Sequence, residues 1–433
     1  MISYLQEILE EGYKNLNIEE KPNVVLSNRP ELCDYQCDDA FKLAKKYHKN
    51  PVEIGQAIVF EVRKNHADLF KEISVVKPGF INFTLSDFMI NKFLKNMMQS
   101  EKFAIPMPEK QDLYFLDYGG PNIAKPLHVG HMRTAIVGES IKRILNFMGQ
   151  ETIADVHLGD YGLQIGQVIY GILQDGKKVE DLTLEYLEET YPKISALCKE
   201  NEEVKKKCEE ITKELQEGNP KYQEYFKVIR EISGNDIKRL YQYLNVSFDL
   251  WEGESDAYAY IPKTEELFKD VIIESEGAKV IPVGEDLPPL IFQKSNGAYL
   301  YATTDLATIY ERVTKYHPDH ILYIVDNRQS LHFKQVFRAV SQIGFMKMEQ
   351  LEFLGYGTVN GTDGKPYKTR SGDAPKLDSL FQNTLDLFLS KKEENKKMEK
   401  EDQDKIVNSI LKFADLQNNR EKDYIFDIQK FSS

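Results

Sequence analysis

Gly120-Pro121-Asn122-Ile123-Ala124-Lys125-Pro126-Leu127-His128-Val129-Gly130-His131 is the stretch whose reading decides the fold. Ahead of it, Leu113, Tyr114, Phe115 and Leu116 make an apolar run within 112–118 that suits a buried strand. Behind it, Val129, Met132, Ile136, Val137, Ile141, Ile144, Leu145 and Met148 recur at helical spacing. The order is strand, turn, then a helix opening on Gly130 and His131. A helix N-terminus presents free N–H groups and the positive end of the dipole, a natural seat for phosphate. Gly130 leaves room for a flat base against the helix. His128 and His131, three apart, can both face the seat as hydrogen-bond donors. Taken bare, the His-x-Gly-His string fits equally a helix start carrying two surface histidines.

The 433 residues suffice for two or three domains with buried cores. A hydrophobic content of 41% and a charged content of 29% are those of a soluble globular protein. There is no N-terminal apolar core flanked by basic residues and no apolar run of bilayer length, so the expectation is a cytoplasmic chain without a membrane partner. Cys33, Cys37, Cys198 and Cys208 have spacings that fit no zinc pattern; they read as buried or incidental thiols in a reducing compartment, and no metal-ligating residues are expected. A net charge of −13 excludes a generic basic nucleic-acid binder. Any RNA contact must use a local basic face on an acidic body.

Working outward, residues 1–108 read as an α+β domain. Helical patterns cover 4–16, 39–47 and 51–71, and an alternating stretch, 75–85, carries Pro78-Gly79-Phe80-Ile81-Asn82-Phe83. Tyr35, Phe80 and Phe83 read as core packing, and the polar stretch 101–111 as a linker. Residues 109–355 read as an α/β, Rossmann-like, doubly wound parallel sheet. Its second strand, 151–157, runs into Leu158-Gly159-Asp160-Tyr161-Gly162, where glycines allow close backbone approach. Asp160 there fits a helix cap. Residues 176–290 break the βα rhythm and read as a helical insertion with solvated charged faces, interrupted near Gly218-Asn219-Pro220. A strand is expected over 298–303, then a helix from Leu306, then a central parallel strand over 320–326. Ligands of open parallel sheets sit outside the carboxyl ends of the strands. Asp117, Tyr301, Asp305, Asp326 and Gln329 fall at such expected ends, with His332 just beyond.

The opening string resembles the HIGH signature of class I aminoacyl-tRNA synthetases, and the longer string 121–133 resembles the form peculiar to arginyl-tRNA synthetases. Gly364-Lys365-Pro366-Tyr367-Lys368-Thr369-Arg370-Ser371-Gly372 resembles a degenerate KMSKS loop, the second class I signature. A lysine usually stands where this chain has Thr369; family members lacking it carry one just ahead of the HIGH motif, where Lys125 stands. Asp34-Tyr35-Gln36-Cys37 and 78–83 resemble the family's N-terminal domain, which contacts the tRNA elbow. Residues 356–433 resemble the KMSKS loop and stem-contact segment. The family continues into an anticodon-binding domain that this sequence does not reach, so a fragment or a naturally shortened paralogue is expected.

The resemblance implies ATP-dependent conversion of L-arginine to arginyl-adenylate and transfer to the 3′-terminal adenosine of tRNA-Arg, with ATP as substrate, Mg²⁺, and activation that waits for tRNA. By the same resemblance, Lys125, His128, His131, Lys365, Lys368 and Arg370 serve the phosphates, and His128, Gly130, His131, Gly357 and Val359 bind ATP. Tyr301, Asp305 and Gln329 meet the arginine side chain, and Asn122 and His128 its amino and carboxylate groups. Asp117 is an acidic substrate contact whose end of arginine stays open. A guanidinium, planar and permanently charged, calls for such carboxylate and amide partners. Asp305 also fits an N-cap on the following helix. A monomer is expected. Two other readings remain: a shortened, non-catalytic tRNA-binding homologue, and a small-molecule nucleotidyltransferase of the HIGH superfamily.

Overall fold

The computed structural model describes residues 1–105, 107–361, 363–365 and 376–427. It divides into two compact units, with the boundary between residues 106 and 107.

In the first unit, helices α1 (Ile2–Asn15), α2 (Asp39–Tyr47) and α3 (Pro51–His66) accompany strands β1 (Val24–Leu26), β2 (Tyr35–Cys37), β3 (Phe70–Val76) and β4 (Phe80–Leu85). The sheet order is β1-β2-β4-β3, antiparallel throughout. Pro51 at the first turn and the Asn50 side chain, which accepts the Val52 N–H, start α3. Phe83 is buried, and Phe80 packs edge-on against Phe41 with ring centroids 5.1 Å apart. Helix α4 (Asp87–Gln99), capped by Ser86, has no counterpart in the sequence reading, although Met89, Phe93 and Met97 recur at helical spacing; only Met89 of its residues is buried.

The second unit is built on a four-stranded parallel sheet, β5 (Leu113–Asp117), β6 (Glu151–Asp155), β10 (His320–Tyr323) and β11 (Leu351–Phe353), in the order β11-β10-β5-β6. Helices cover both faces, which is why its strands are continuously apolar. Leu116 packs with α5 (Val129–Phe147) and α6 (Leu163–Gln174). Phe115 and Tyr323 pack on the other face with α12 (Tyr301–Tyr316) and α13 (Ser330–Gln342). The strand order reverses between β5 and β10, so a crevice opens at their carboxyl ends. Register sets Asp117 level with Tyr323 on one side and Asp155 on the other.

Between β6 and β10 lie α7 (Leu184–Glu200), α8 (Glu202–Gln216) and α9 (Pro220–Tyr243), then α10 (Glu254–Ala257) and α11 (Ile261–Phe268). Asn219 caps α9 and Pro220 opens it, at the expected break. The insertion also holds a small antiparallel sheet, β7 (Ile273–Ser275), β8 (Ala278–Ile281) and β9 (Leu290–Gln293), which the helical reading lacked. These strands are three or four residues long, too short to show a clear period.

The expected strand over 298–303 is corrected: Tyr299 makes one isolated bridge to Gln293, and Tyr301 already begins α12. Ala302, Thr303, Leu306, Ala307 and Ile309 are buried at helical spacing, and the Thr303 hydroxyl donates to the Phe292 carbonyl, which settles the local ambiguity in favour of helix.

Past β11, the chain runs through β12 (Val359–Asn360), α14 (Leu377–Lys391) and α15 (Lys400–Leu416), and β13 (Tyr424–Ile425) returns to pair in parallel with β12. Gly357 permits this: a Cβ there would lie 2.2 Å from the Lys422 backbone. Its N–H donates to the Arg420 carbonyl at 2.9 Å. Arg133, fully buried in α5, donates to the carbonyls of Asn419, Arg420 and Lys422 at 3.2, 2.8 and 3.2 Å and lies under the Tyr424 ring. Among the described residues, no helix is long and apolar enough to cross a membrane.

Candidate active site

The crevice is a cleft of about 1080 Å³ at the carboxyl ends of β5 and β10. It is lined by Asp117, Asn122, His128, Gly130, His131, Tyr301, Asp305, Gln329 and Val359, all singled out from the sequence. His157, Lys199, Glu254 and Arg328 line it too, and no reading of the sequence had placed them there.

At one end stands the start of α5. The Gly130 N–H donates to His128 Nδ1 at 3.0 Å, and the His128 N–H donates to His131 Nδ1 at 3.2 Å, a reciprocal cap. The His131 N–H is taken by the His128 carbonyl at 2.9 Å. The expected free backbone donors are therefore partly used by the cap itself. With both Nδ1 atoms accepting, each neutral imidazole carries its proton on Nε2. Burial, then the nearby Lys125 charge, lowers His128 to about 4; burial, then His128 and Lys125, holds His131 well below its usual value. Gly130 serves the cap directly, since a Cβ would lie 2.9 Å from the His128 ring. Lys125 itself lies 4.5 Å over the Tyr191 ring of α7. Asn122 forms an isolated parallel bridge with Gly159, joining the loops after β5 and β6.

At the other end, α12 presents Tyr301 and Asp305 on successive turns. Asp305 is the fifth residue of this helix, so the capping reading fails. Its Oδ2 lies 2.5 Å from His332 Nε2 of α13. Tyr301, 65% exposed, sets its ring edge-on to His332 at 5.2 Å. Asp326 is chelated by Arg328 at 2.8 and 2.7 Å.

The floor carries buried charge. Arg312 Nη2 lies 2.7 Å from Asp117 Oδ2 and 2.9 Å from Asp155 Oδ2. His157 Nδ1 lies 3.5 Å from Asp155 Oδ2. Burial alone would lower the His157 imidazole, but Asp155 and Asp117 overcome it and raise it to about 9. Burial raises the Asp117 carboxyl, with Arg312 and His157 pulling it back. Burial also raises Glu254 to about 7, with Asp160 and Asp305 adding to the push. Asp160 neither caps α6 nor lines the cleft. It accepts from the Ser255 N–H and hydroxyl and pairs with Arg230 at 2.9 Å, pinning the loop that carries Glu254.

Of the remaining sequence candidates, Gly357 is committed to the Arg420 carbonyl. Lys365 sits in a tight turn, its N–H donating to Asp363 at 3.0 Å. Lys368 and Arg370 lie outside the described residues. His157 closed the expected second strand, a carboxyl-end position that could have flagged it. Glu254 and Arg312 carry no local signal.

The family model for the catalytic domain of class I tRNA synthetases (R) matches residues 92–428, and that for the arginyl-tRNA synthetase N-terminal domain matches 2–85. This chain belongs to the arginyl-tRNA synthetase family. It is 38% identical over 460 residues to the arginine–tRNA ligase of Alkaliphilus oremlandii, covering 100% of this chain and 78% of that protein. It is 39% identical over 453 residues to that of Francisella tularensis, covering 99% and 77%. The Plasmodium falciparum arginyl-tRNA synthetase superposes with a TM-score of 0.78 at 25% identity, covering 100% of this chain and 77% of that one. The Thermus thermophilus enzyme shares the fold, with a TM-score of 0.77 at 21% identity. As an arginyl-tRNA synthetase, the chain is a class I ligase that activates arginine with ATP and charges tRNA.

Proposed function

We propose that the cleft binds arginine between Asp117 and Asp305 and ATP against the start of α5. The observation carrying this reading is that two carboxylates and the signature histidines, from segments far apart in sequence, line one cleft. Asp305, with Tyr301 and Gln329, takes the guanidinium. The reacting carboxylate must reach the phosphate seat by His128, and the α-ammonium, one carbon away from it, falls to Asn122.

Chemistry then rests on positioning and charge stabilisation. An arginine carboxylate oxygen attacks the α-phosphorus in line, the bond to the bridging oxygen breaks, and pyrophosphate leaves. The Nε2–H groups of His128 and His131 donate to the phosphate oxygens. Lys125 swings from Tyr191 to meet the developing charge, supplying the cation absent at Thr369; Lys365, Lys368 and Arg370 serve the β- and γ-phosphates. The 2′-hydroxyl of the terminal adenosine of tRNA-Arg next attacks the arginyl carbonyl, and AMP leaves. Gly130 and Val359 border the ATP. Among the described residues, no group of three or more His, Cys, Asp or Glu side chains is placed to hold a metal. Mg²⁺ enters with the triphosphate, as part of the substrate.

Residues 1–108 contact the tRNA elbow, 109–355 form the catalytic domain and 356–433 contact the stem, in a cytoplasmic monomer. The test is pyrophosphate exchange with and without tRNA-Arg, using arginine and lysine. Exchange with arginine only, and faster with tRNA, is expected. Exchange supported equally by lysine would overturn the assignment of the arginine pocket.

A further inference from the structure

One face of α7 holds two cations beside the signature helix. Tyr191 lies under Lys125, and Glu188, three residues earlier on that face, pairs with Lys376 at 2.5 Å. Lys376 stands four residues past the segment 364–372. Its place is set by the backbone. Lys376 and His128 form an isolated antiparallel bridge, and the Leu377 N–H donates to the Leu127 carbonyl at 2.9 Å. That bond makes residues 128 and 376 a pair of the closer, non-hydrogen-bonded kind, with Cα atoms about 4.5 Å apart. Directly opposed residues send their side chains to one face of the ladder. The Lys376 side chain therefore leaves the backbone on the side from which the His128 ring reaches the cleft.

We propose that Lys376 is a further catalytic residue of arginine activation, leaving Glu188 to contact a phosphate oxygen of ATP beside His128. This rests on the reading above that the triphosphate lies at the start of α5. The Lys376 ammonium carries three N–H donors on a flexible four-carbon stem, and Glu188 takes one of them. The Lys376 side chain is 54% exposed and that of Glu188 16%, so the lysine is the partner free to turn. An ion pair with so exposed a member is weak and yields to the denser charge of a triphosphate. Charge grows on the phosphates as the bond to the bridging oxygen breaks, and the neutral imidazoles of the seat supply no cation to meet it. Glu188 is the resting partner that holds the lysine aside until ATP arrives.

Pyrophosphate exchange at saturating arginine and tRNA-Arg, across a range of ATP concentrations, tests this in the parent, Lys376→Met, Glu188→Gln and His128→Asn. Lys376→Met should slow exchange about a hundredfold, as for loss of one transition-state donor, with calorimetric arginine affinity at the parent's value. Lys376→Arg, which retains the charge, should lose much less. Glu188→Gln keeps the shape and frees the lysine, so the ATP KM should fall by roughly two- to fivefold. That gain should vanish when Lys376→Met is added. A pair that only braced the fold would lose activity when either partner was changed. An ATP KM in Glu188→Gln at or above the parent's therefore overturns the proposal, even if the Met variant does not fold. Exchange at the parent's rate in Lys376→Met does the same, provided that His128→Asn is slowed. Were His128→Asn also at the parent's rate and ATP KM, the placement of the triphosphate itself would fall.

Discussion

At the arginine end of the cleft, carboxylates arrive with partners already in the fold: Asp117 on Arg312, Asp305 on His332, Asp326 on Arg328. At the phosphate end, the signature imidazoles are neutral donors. His128 and His131 are held uncharged by burial, and Lys125, the nearby cation, rests on Tyr191. The difference follows from what each end awaits. A carboxylate needed for a cationic substrate must stay ionised and solvent-poor, which requires a counter-charge while the site is empty. A triphosphate brings its own dense charge, so neutral N–H donors can wait at low cost and a cation can join when charge develops.

Removing a carboxylate from the arginine end tests the contrast most severely. Asp305→Asn should cost roughly 2–5 kcal/mol in arginine binding, raising the arginine KM by about 30-fold or more with the ATP KM nearly unchanged. Calorimetry showing unaltered arginine affinity would break the comparison at its stronger end. At the phosphate end, Lys125→Ala should remove about 2–4 kcal/mol of transition-state stabilisation, seen in kcat more than in ATP affinity. Adding Thr369→Lys should restore part of it; no recovery in a normally folded variant would mean that Lys125 does not stand in for the missing lysine.

A smaller effect sharpens the picture of surplus negative charge beside Asp305. Glu254, raised from 4.5 to about 7, is favoured by the fold in its neutral form. Its contribution to stability is full below pH 4.5 and is lost as pH rises through about 7. Glu254→Gln should therefore leave Tm unchanged at pH 4.5 and raise stability at pH 8 by on the order of 2 kcal/mol. A Tm at pH 8 no higher than the parent's would show the group to be ionised without penalty.

The sequence disclosed those parts of the fold and site that depend on short-range chemistry. The apolar run of β5, the stripe of α5 and the glycine-flanked turn between them are local, and they located the phosphate seat. Tyr301 and Asp305 were placed in the cleft for a partly wrong reason, as strand-end residues; they lie on α12, whose first turn looks extended because Tyr299 and Tyr301 flank an apolar residue. His157, Glu254 and Arg312 went unseen for a different reason. Each is a charged or polar residue that nothing in its own window sets apart. Their meaning comes from register between β5, β6 and β10 and from a loop pinned by Asp160, contacts that span tens to hundreds of residues. The resemblance to the synthetase family reached the ligand contacts that motifs encode, but not the groups that hold those contacts in place.

Arg133 bears on how the enzyme is made. The carbonyls that receive its guanidinium lie 286 to 289 residues further along the chain. At roughly 5–20 residues per second, a ribosome delivers them about 15–60 s after the signature helix has emerged. Throughout that interval the nascent α5 carries a cation on the flank that the finished enzyme seals, with no backbone acceptor yet synthesised to meet it. The catalytic helix is thus among the earlier parts of this unit to be translated, and completing its burial must wait for segment 419–424. The half-made protein offers any chaperone a charged, open seam during that wait.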